Sequence, residues 1–465
     1  MYGWPTTLDK LSSFGWARIV TAQVVLHYVL PYSLARIAFH IVGLPFSWVV
    51  AAMVELAFLA YMQAVPLQKM RQSPLVVEPP TKAPEEIWRD SLAKVKLADT
   101  MGYSVERFIS GWFLGADPAQ IRRENLAQWV SHMLYAKAPA DLTATEQSAI
   151  SSMVDLTAEV CGLTPEPGYN PEVHCVHFLL EPMRVLHRSL LIYIMTSFIP
   201  RMATKMVFQV VLGLQRKRCK ESGLYYWWRA PRCTDEAVPD LLFFHGLCGF
   251  TGYLPVIVIT LLTSPSRGAV LLELEDVSQC LNFDRWPTRQ AVLGAVQSGL
   301  AQLASVRGYS RPVVVFGHSL GTCAATAVLE ESNADIIGVM LVDPVCMLLE
   351  LPDVAYGFLY RAPQEFFDWL CLLWCSGEPG ISLYFRRRFF WYNNTFSFDL
   401  FKGKRAVVCL SEHDQMVPSH AVRAYLERSC KGVDVIWWPS TGHTGFMLDP
   451  FSQKQIVQWL QSCKA

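Results

Sequence analysis

VVVFGHSLG, residues 313–321, is the stretch that decides the fold. Its consecutive Val and Phe residues predict a strand that is buried on both faces, and the sequence TCAATAVLEES that follows is compatible with a helix. A G-x-S-x-G sequence between a strand and a helix places its serine in a sharp turn, with the hydroxyl exposed above the sheet. We therefore predict that Ser319 is a nucleophile in a turn made of Gly317, His318 and Gly321.

Other short apolar runs occur on both sides of this stretch and alternate with segments that favour helices. The runs are LLFFH after Asp240, AVLLLELE from Ala269, IIGVMLVD from Ile336, RAVVCLSEHD from Arg405 and DVIWWPS from Asp434. The helix-like segments are 288–306, 320–332, 418–430 and 450–463. This alternation predicts a mostly parallel sheet with helices on both faces. We assign it to one α/β domain over residues 223–465.

A serine nucleophile needs a base, and the base needs a carboxylate that orients it. His443 follows the last predicted strand, in the sequence STGH, and Asp414 follows the strand before it, in the sequence SEHD. Because loops after parallel strands meet at one edge of the sheet, we expect Ser319, Asp414 and His443 to meet there. Asp343 and Glu412 are alternatives for the carboxylate, and the alternative role for Asp414 is to cap the helix that follows it.

The oxyanion of an acyl-transfer reaction needs two hydrogen-bond donors. One expected donor is the backbone N–H of Leu320, directly after the nucleophile. The loop FFHGLCG follows an earlier predicted strand, and a His-Gly pair in this position is typical of an oxyanion loop. We assign the second donor to the N–H of Leu247, with Cys248 as the alternative, and expect His245 and Gly246 to shape the loop.

The motifs HGLCG, GHSLG, the Asp414 loop and STGH occur in one order along residues 223–465. Together they resemble the α/β-hydrolase superfamily, in its lipase and esterase branch. The resemblance implies an α/β-hydrolase fold and acyl-enzyme chemistry without a cofactor. The sequences GWFLG at 111–115 and IRREN at 121–125 are similar to those of membrane-anchored hydrolases of fungi and other eukaryotic microbes.

An insertion at about residues 346–402 separates two predicted strands, where the superfamily usually carries a lid. It is dense in aromatic residues and Leu, as in FLYRAPQEFFDWLCLLWC. The whole chain of 465 residues is 52% hydrophobic and only 17% charged, with a mean hydropathy of +0.24. We therefore predict that the lid forms a wall for a lipid acyl chain. The alternative is an aromatic cap that fills its own core.

The N-terminal residues 1–72 are predicted to anchor the chain in a membrane by one or two helices. Residues 46–64 form the stronger span and residues 14–34 the weaker one, since a spanning helix needs ~20 mostly apolar residues. Glu55 is the one acidic residue of the stronger span. The alternative is a hydrophobic helical pair that packs on the globular domain. Lys69 and Arg71 after the last span favour a cytoplasmic catalytic domain.

A Pro-rich linker at 73–86 leads into a helical region at 87–222 that contains no motif of known chemistry. An apolar stretch near its end, SLLIYIMTSFIPRMATKMVFQVVLGL, is followed by the basic sequence QRKRCK. The sequence supports two interpretations equally. The stretch is either a helix in the membrane interface with its cations near lipid phosphates, or a helical layer that covers the next domain and ends in a charged turn. His174 and His177 stand three apart without a further evident ligand, so we predict no metal.

The formal net charge is 0, so the electrostatic footprint of a nucleic-acid-binding protein is absent. The 13 cysteines include no CxxC pair, which favours reduced thiols. We predict a serine hydrolase that cleaves carboxylic esters of lipids or other apolar acyl groups at a membrane. The alternatives are an acyltransferase with the same triad and a non-catalytic lipid-binding or interaction protein on the same scaffold. The sequence does not specify an oligomeric state.

Overall fold

A computed structural model describes residues 21–43, 45, 47–65, 68, 77–183, 185–233, 235, 237–281, 288–364 and 366–464. Residues 14–20 of the weaker predicted span, Lys69, Arg71 and the start of the predicted linker lie outside the described residues. Eight strands in the described part form one sheet. They are β1 Gln215–Arg218, β2 Tyr225–Arg229, β3 Asp240–Phe244, β4 Ala269–Glu273, β5 Val313–His318, β6 Ile336–Val342, β7 Arg405–Ser411 and β8 Val433–Trp438.

The strand order in the sheet is β1-β2-β4-β3-β5-β6-β7-β8. Strands β3 to β8 pair in parallel, and β1 and β2 form an antiparallel edge next to β4. The predicted α/β class with a mostly parallel sheet is confirmed. The basic sequence QRKR differs from the prediction. We expected it at the exit of a helix or near lipid phosphates, but it forms the edge strand β1. Arg216 instead forms ion pairs with Glu273 and Glu275, at 2.7 and 2.6 Å.

The longer helices precede, connect and follow the strands. They are α1 Thr21–Ile41, α2 Trp48–Ala64, α3 Pro84–Asp99, α4 Val105–Trp112, α5 Arg123–Tyr135, α6 Ala144–Cys161, α7 Leu190–Val211, α8 Leu254–Thr263, α9 Arg289–Arg307, α10 Gly321–Glu331, α11 Phe366–Cys371, α12 Pro379–Arg387, α13 Ser419–Ser429 and α14 Pro450–Ser462. Short helical turns occur at Pro118–Gln120, Pro139–Asp141, Thr251–Tyr253, Glu275–Val277, Asp353–Ala355, Tyr356–Tyr360, Leu372–Ser376, Trp391–Asn393, Phe398–Phe401 and Gly445–Met447.

The central strands bury both faces, because their side chains alternate between two apolar cores. In β5, Val313 and Val315 pack with α9 and α10 on one side. Val314 and Phe316 pack with α8 and α14 on the other side. The continuous apolar sequence of β5 therefore reflects a strand covered by helices on both faces.

The helical region and the lid share the first of these cores. Trp112 and Trp129 from the helical region, and Phe385 and Trp391 from the lid, belong to the same buried cluster as the sheet residue Val315. The lid therefore does not fill a separate core of its own. The sheet, the lid and helices α3 to α6 pack as one body, although the sequence analysis assigned 87–222 to its own region.

Two helices among the described residues, α1 and α7, are long and apolar enough to cross a membrane. Helix α2, predicted as the stronger span, has 17 residues and is shorter than the ~20 that a span needs. Its Glu55 is buried and accepts hydrogen bonds from the Tyr32 hydroxyl at 2.6 Å and the Leu190 N–H at 3.0 Å. The carboxylate therefore joins α1, α2 and α7.

Candidate active site

Ser319 follows the end of β5 in a tight turn. Its φ is +51°, a strained value for a residue other than glycine, and its N–H donates to the Val342 carbonyl at 3.0 Å. A Cβ at position 321 would collide with the carbonyl oxygens of Phe244 and His245. Gly321 therefore allows helix α10 to start against the end of β3. Ser319 lies in the turn between β5 and α10.

Three side chains from separate loops form one hydrogen-bonded chain. Ser319 Oγ lies 2.8 Å from His443 Nε2, and His443 Nδ1 lies 2.7 Å from Asp414 Oδ2. Asp414 Oδ1 also accepts the N–H groups of Met416 and Val417, both at 2.8 Å. Asp414 thus holds its own loop with one oxygen and reaches the imidazole with the other. The structure brings together the hydroxyl, imidazole and carboxylate that the sequence analysis selected.

The two alternative carboxylates make other contacts. Asp343 accepts the Ser411 N–H at 2.9 Å, the Ser411 hydroxyl at 3.1 Å and the Thr444 N–H at 3.3 Å. It connects the end of β7 with the loop after β8. Glu412 accepts the Ser440 N–H at 2.9 Å. Both residues therefore shape the loops that carry Asp414 and His443.

Neighbouring carboxylates make the His443 imidazole more basic than an ordinary histidine. Burial lowers the pKa of His443, but the charge and hydrogen bond of Asp414, together with the charge of Asp343, outweigh it, so the pKa lies above its ordinary value. Burial and the nearby Asp414 raise the pKa of Asp343. Burial and the neighbouring His443 and His245 lower the pKa of His318 well below its ordinary value, so this imidazole stays neutral.

The predicted oxyanion donors lie beside the nucleophile. Leu247, Ser319 and Leu320 line the same cavity. The N–H of Cys248 donates to the Val277 carbonyl at 3.0 Å, so it is not available to an oxyanion. The N–H of Gly246 is also engaged, by the Tyr253 hydroxyl at 2.7 Å. Of the two alternatives, this geometry favours Leu247.

A network of neutral side chains holds the oxyanion loop. His245 Nδ1 donates to the Gly246 carbonyl at 2.6 Å, and its Nε2 accepts the Leu274 N–H at 3.0 Å. The Tyr253 hydroxyl donates to His318 Nδ1 at 2.5 Å. A Cβ at position 246 would lie 3.0 Å from Ser319 Cβ, so glycine permits the close approach of the oxyanion loop to the turn that carries Ser319. Sequence analysis missed Tyr253, since no motif marks it.

The cavity above Ser319 has a volume of about 610 Å³, open mouth included. Apart from Ser319, the residues that line it are apolar, and they include Leu247 and Leu320 beside the nucleophile. The helical region contributes Trp112 and Phe178, and the Asp414 loop contributes Met416. The lid contributes Leu349, Val354, Ala355, Phe358, Leu359, Phe385, Phe389 and Trp391, and Val345 lies directly before it. Such a wall suits a hydrocarbon chain.

Comparison with known proteins gives a family match over slightly less than half of the chain. Residues 241–453 match the profile of the Alpha/beta hydrolase family. The matched residues include Ser319, Asp414 and His443 and the predicted oxyanion loop that begins at His245. The fold predicted from the motifs is confirmed. No curated protein sequence matches the chain.

Several solved structures align with about half of the chain. A candidate lipase from Acinetobacter baumannii AYE has 16% identity and a TM-score of 0.39, and the match covers 56% of this chain and 94% of that one. A membrane phospholipase A described as a bacterial virulence factor has 12% identity and a TM-score of 0.39, over 58% and 94%. The carboxylesterase CesB from Bacillus subtilis has 10% identity and a TM-score of 0.36, over 58% and 98%. The similarity to fungal membrane-anchored hydrolases stays a prediction.

Proposed function

We propose that this protein is a serine hydrolase that cleaves carboxylic esters of lipids or other apolar acyl groups. The observation that carries the proposal is the series of hydrogen bonds from Ser319 Oγ through His443 to Asp414, with Ser319 lining an apolar cavity. The match of residues 241–453 to the Alpha/beta hydrolase family supports a hydrolase.

In the proposed reaction, Ser319 Oγ attacks the ester carbonyl while His443 Nε2 takes its proton. Asp414 holds the Nδ1–H tautomer and stabilises the imidazolium that forms. The N–H groups of Leu320 and Leu247 bind the oxyanion, each worth ~3–4 kcal/mol in the transition state. The alcohol leaves with the proton from His443, and water then releases the acyl group from Ser319.

We propose further that the protein works at a membrane. The long helices α1 and α7 carry exposed apolar side chains, among them Ile41 at 77%, Met206 at 67% and Val210 at 77% exposure. Exposed apolar surface on such helices supports contact with lipid tails. An ester drawn from the bilayer would present its hydrocarbon end to the apolar cavity. A cytoplasmic position of the catalytic domain remains a prediction from Lys69 and Arg71.

Fluorophosphonate labelling of the full chain in detergent tests the proposed chemistry. We expect wild type to be labelled at Ser319 and Ser319→Ala to be unlabelled. Ser305→Ala, at an exposed serine of helix α9, is the matched control and should label like wild type. Absence of labelling in folded wild type would favour a lipid-binding protein. A series of acyl esters of increasing length, assayed with and without an added acceptor alcohol, then separates hydrolysis from acyl transfer.

A further inference from the structure

A second cluster of reactive side chains lies in the helical region, outside the serine site. His132 on helix α5 and Cys175 and His177 on the segment after α6 each offer one ligand atom, and these atoms all lie within 4.8 Å of one another. His132 Nδ1 is 3.7 Å from Cys175 Sγ, and the rings of His132 and His177 are 5.3 Å apart. His174, the other histidine considered in the sequence analysis, is not part of this cluster.

We propose that His132, Cys175 and His177 bind one transition-metal ion of the Zn²⁺ type. Zn²⁺ takes sulfur at ~2.3 Å and imidazole nitrogen at ~2.0–2.1 Å, so a tetrahedral ion separates a sulfur and a nitrogen ligand by roughly 3.5 Å. The distance of 3.7 Å between Cys175 Sγ and His132 Nδ1 is close to that separation. One thiolate and two imidazoles form a ligand set that suits Zn²⁺ rather than Mg²⁺ or Ca²⁺.

The orientation of His177 is the strongest support for this site. Its Nδ1–H donates to the Cys175 carbonyl at 2.8 Å, which leaves Nε2 as the ligand atom. Glu181 Oε1 lies 3.8 Å from the same Nδ1. Metal-bound histidines usually donate their second ring N–H to a carbonyl or carboxylate in this way. Tyr360 and Arg386 donate to the two oxygens of Glu181, at 2.5 and 2.6 Å, so the Cys175 carbonyl is the group that orients His177.

Metal binding requires the thiolate form of Cys175. The S–H bond breaks, the sulfur–metal bond forms and one proton is released to solvent. The side chain of His177 is 39% exposed, so water can fill the fourth position.

The position of the cluster links it to the cavity wall. The residues between and beside its ligands are structural: Val176 N–H donates to the Trp112 carbonyl at 2.8 Å, and Phe178 lines the cavity. An ion held by His132, Cys175 and His177 would tie this segment to helix α5. The site would therefore stabilise the part of the wall that comes from the helical region.

Binding of Co²⁺ to the full chain in detergent tests this proposal. After chelation and with a phosphine reductant present, we expect one equivalent of Co²⁺ to give a thiolate-to-cobalt charge-transfer band that Zn²⁺ abolishes. Cys175→Ser should lose the band, and His132→Gln and His177→Gln should weaken binding by more than the ~10–100-fold typical of an outer partner. His174→Gln and Cys161→Ser are matched controls and should bind like wild type.

Two outcomes would overturn the site. One is a folded wild type, judged by its thermal unfolding, that gives no thiolate–cobalt band, since the three side chains would then only hydrogen bond to one another. The other is a band of equal strength in Cys175→Ser. If Cys175→Ser does not fold, His177→Gln decides, because its partly exposed side chain tolerates the change: unchanged Co²⁺ affinity in that variant would equally contradict the proposal.

Discussion

The rim of the sheet and the wall of the cavity are built on different principles. At the rim, Ser319, Asp414 and His443 follow the ends of β5, β7 and β8 and are joined by hydrogen bonds. The wall consists of apolar side chains such as Trp112 and Phe178, which belong to a region outside the family match. The hydrogen bonds at the rim orient the reacting groups and so control the reaction rate. The apolar side chains of the wall control the volume that is available to the substrate. Changes at the rim should therefore affect turnover, and changes in the wall should affect the choice of substrate.

The largest expected effect is at the rim, in Asp414→Asn. We expect kcat to fall by about 10⁴-fold, because the amide cannot hold the imidazole in the correct tautomer. Asp343→Asn should lose far less activity, and should instead destabilise the fold by ~1–3 kcal/mol, because its amide group would face the Ser411 and Thr444 donors. Steady-state kinetics and denaturant unfolding of both variants measure the two effects. A larger loss of kcat in Asp343→Asn would reverse the assignment of the carboxylate.

The wall is tested by Phe178→Ala. The lost ring should enlarge the cavity and shift the preferred acyl chain to a longer one, with a change in the ratio of kcat/KM values of ~10–200-fold. The variant should also lose ~3–5 kcal/mol of stability. Phe401→Ala is the matched control, because Phe401 is buried in the same core and does not line the cavity. An equal change of chain-length preference in both variants would contradict the assignment of Phe178 to the wall.

A smaller effect is expected for Tyr253→Phe, which removes the hydroxyl between the oxyanion loop and the turn that carries Ser319. The Gly246 N–H and His318 Nδ1 then lose their partner, which costs ~1–3 kcal/mol for a buried group. As a positioning residue, Tyr253 should affect kcat more than KM. Tyr226→Phe, whose hydroxyl contacts Ser298 and whose side chain does not line the cavity, should leave kcat unchanged. A loss confined to KM in Tyr253→Phe would argue against a role in placing the loop.

The smallest expected effect is on the pH dependence of kcat/KM. The base must be neutral to accept a proton, and the pKa of His443 lies above its ordinary value of ~6.5, so activity should rise with pH through a midpoint above ~6.5. Asp343→Asn removes a negative charge beside His443 and should move this midpoint to lower pH. Asp434→Asn, on strand β8, should leave the midpoint where it is. A midpoint below the ordinary value in wild type would contradict the charged environment described here.

Prediction from sequence worked best where a local motif sits next to a strand. Ser319, Asp414 and His443 could be selected because each follows an apolar run, and parallel strands bring such loops to one edge. Tyr253 and Phe178 could not be found in this way, because their roles depend on contacts with distant residues. His132 lies 43 residues before Cys175, so no spacing rule joins them. The choice between Asp414 and Asp343 also needed coordinates, since both follow strands of the same sheet.

The sequence by itself determined the α/β architecture, the order of the motifs and the candidate side chains at the rim of the sheet. These features follow from apolar periodicity and from backbone turns, which depend on neighbouring residues. Only the tertiary structure decided which carboxylate meets the imidazole, where the edge strand β1 lies and which side chains close the cavity. Those outcomes depend on how helices from separate parts of the chain share one core, and packing of that kind leaves no local signal in the sequence.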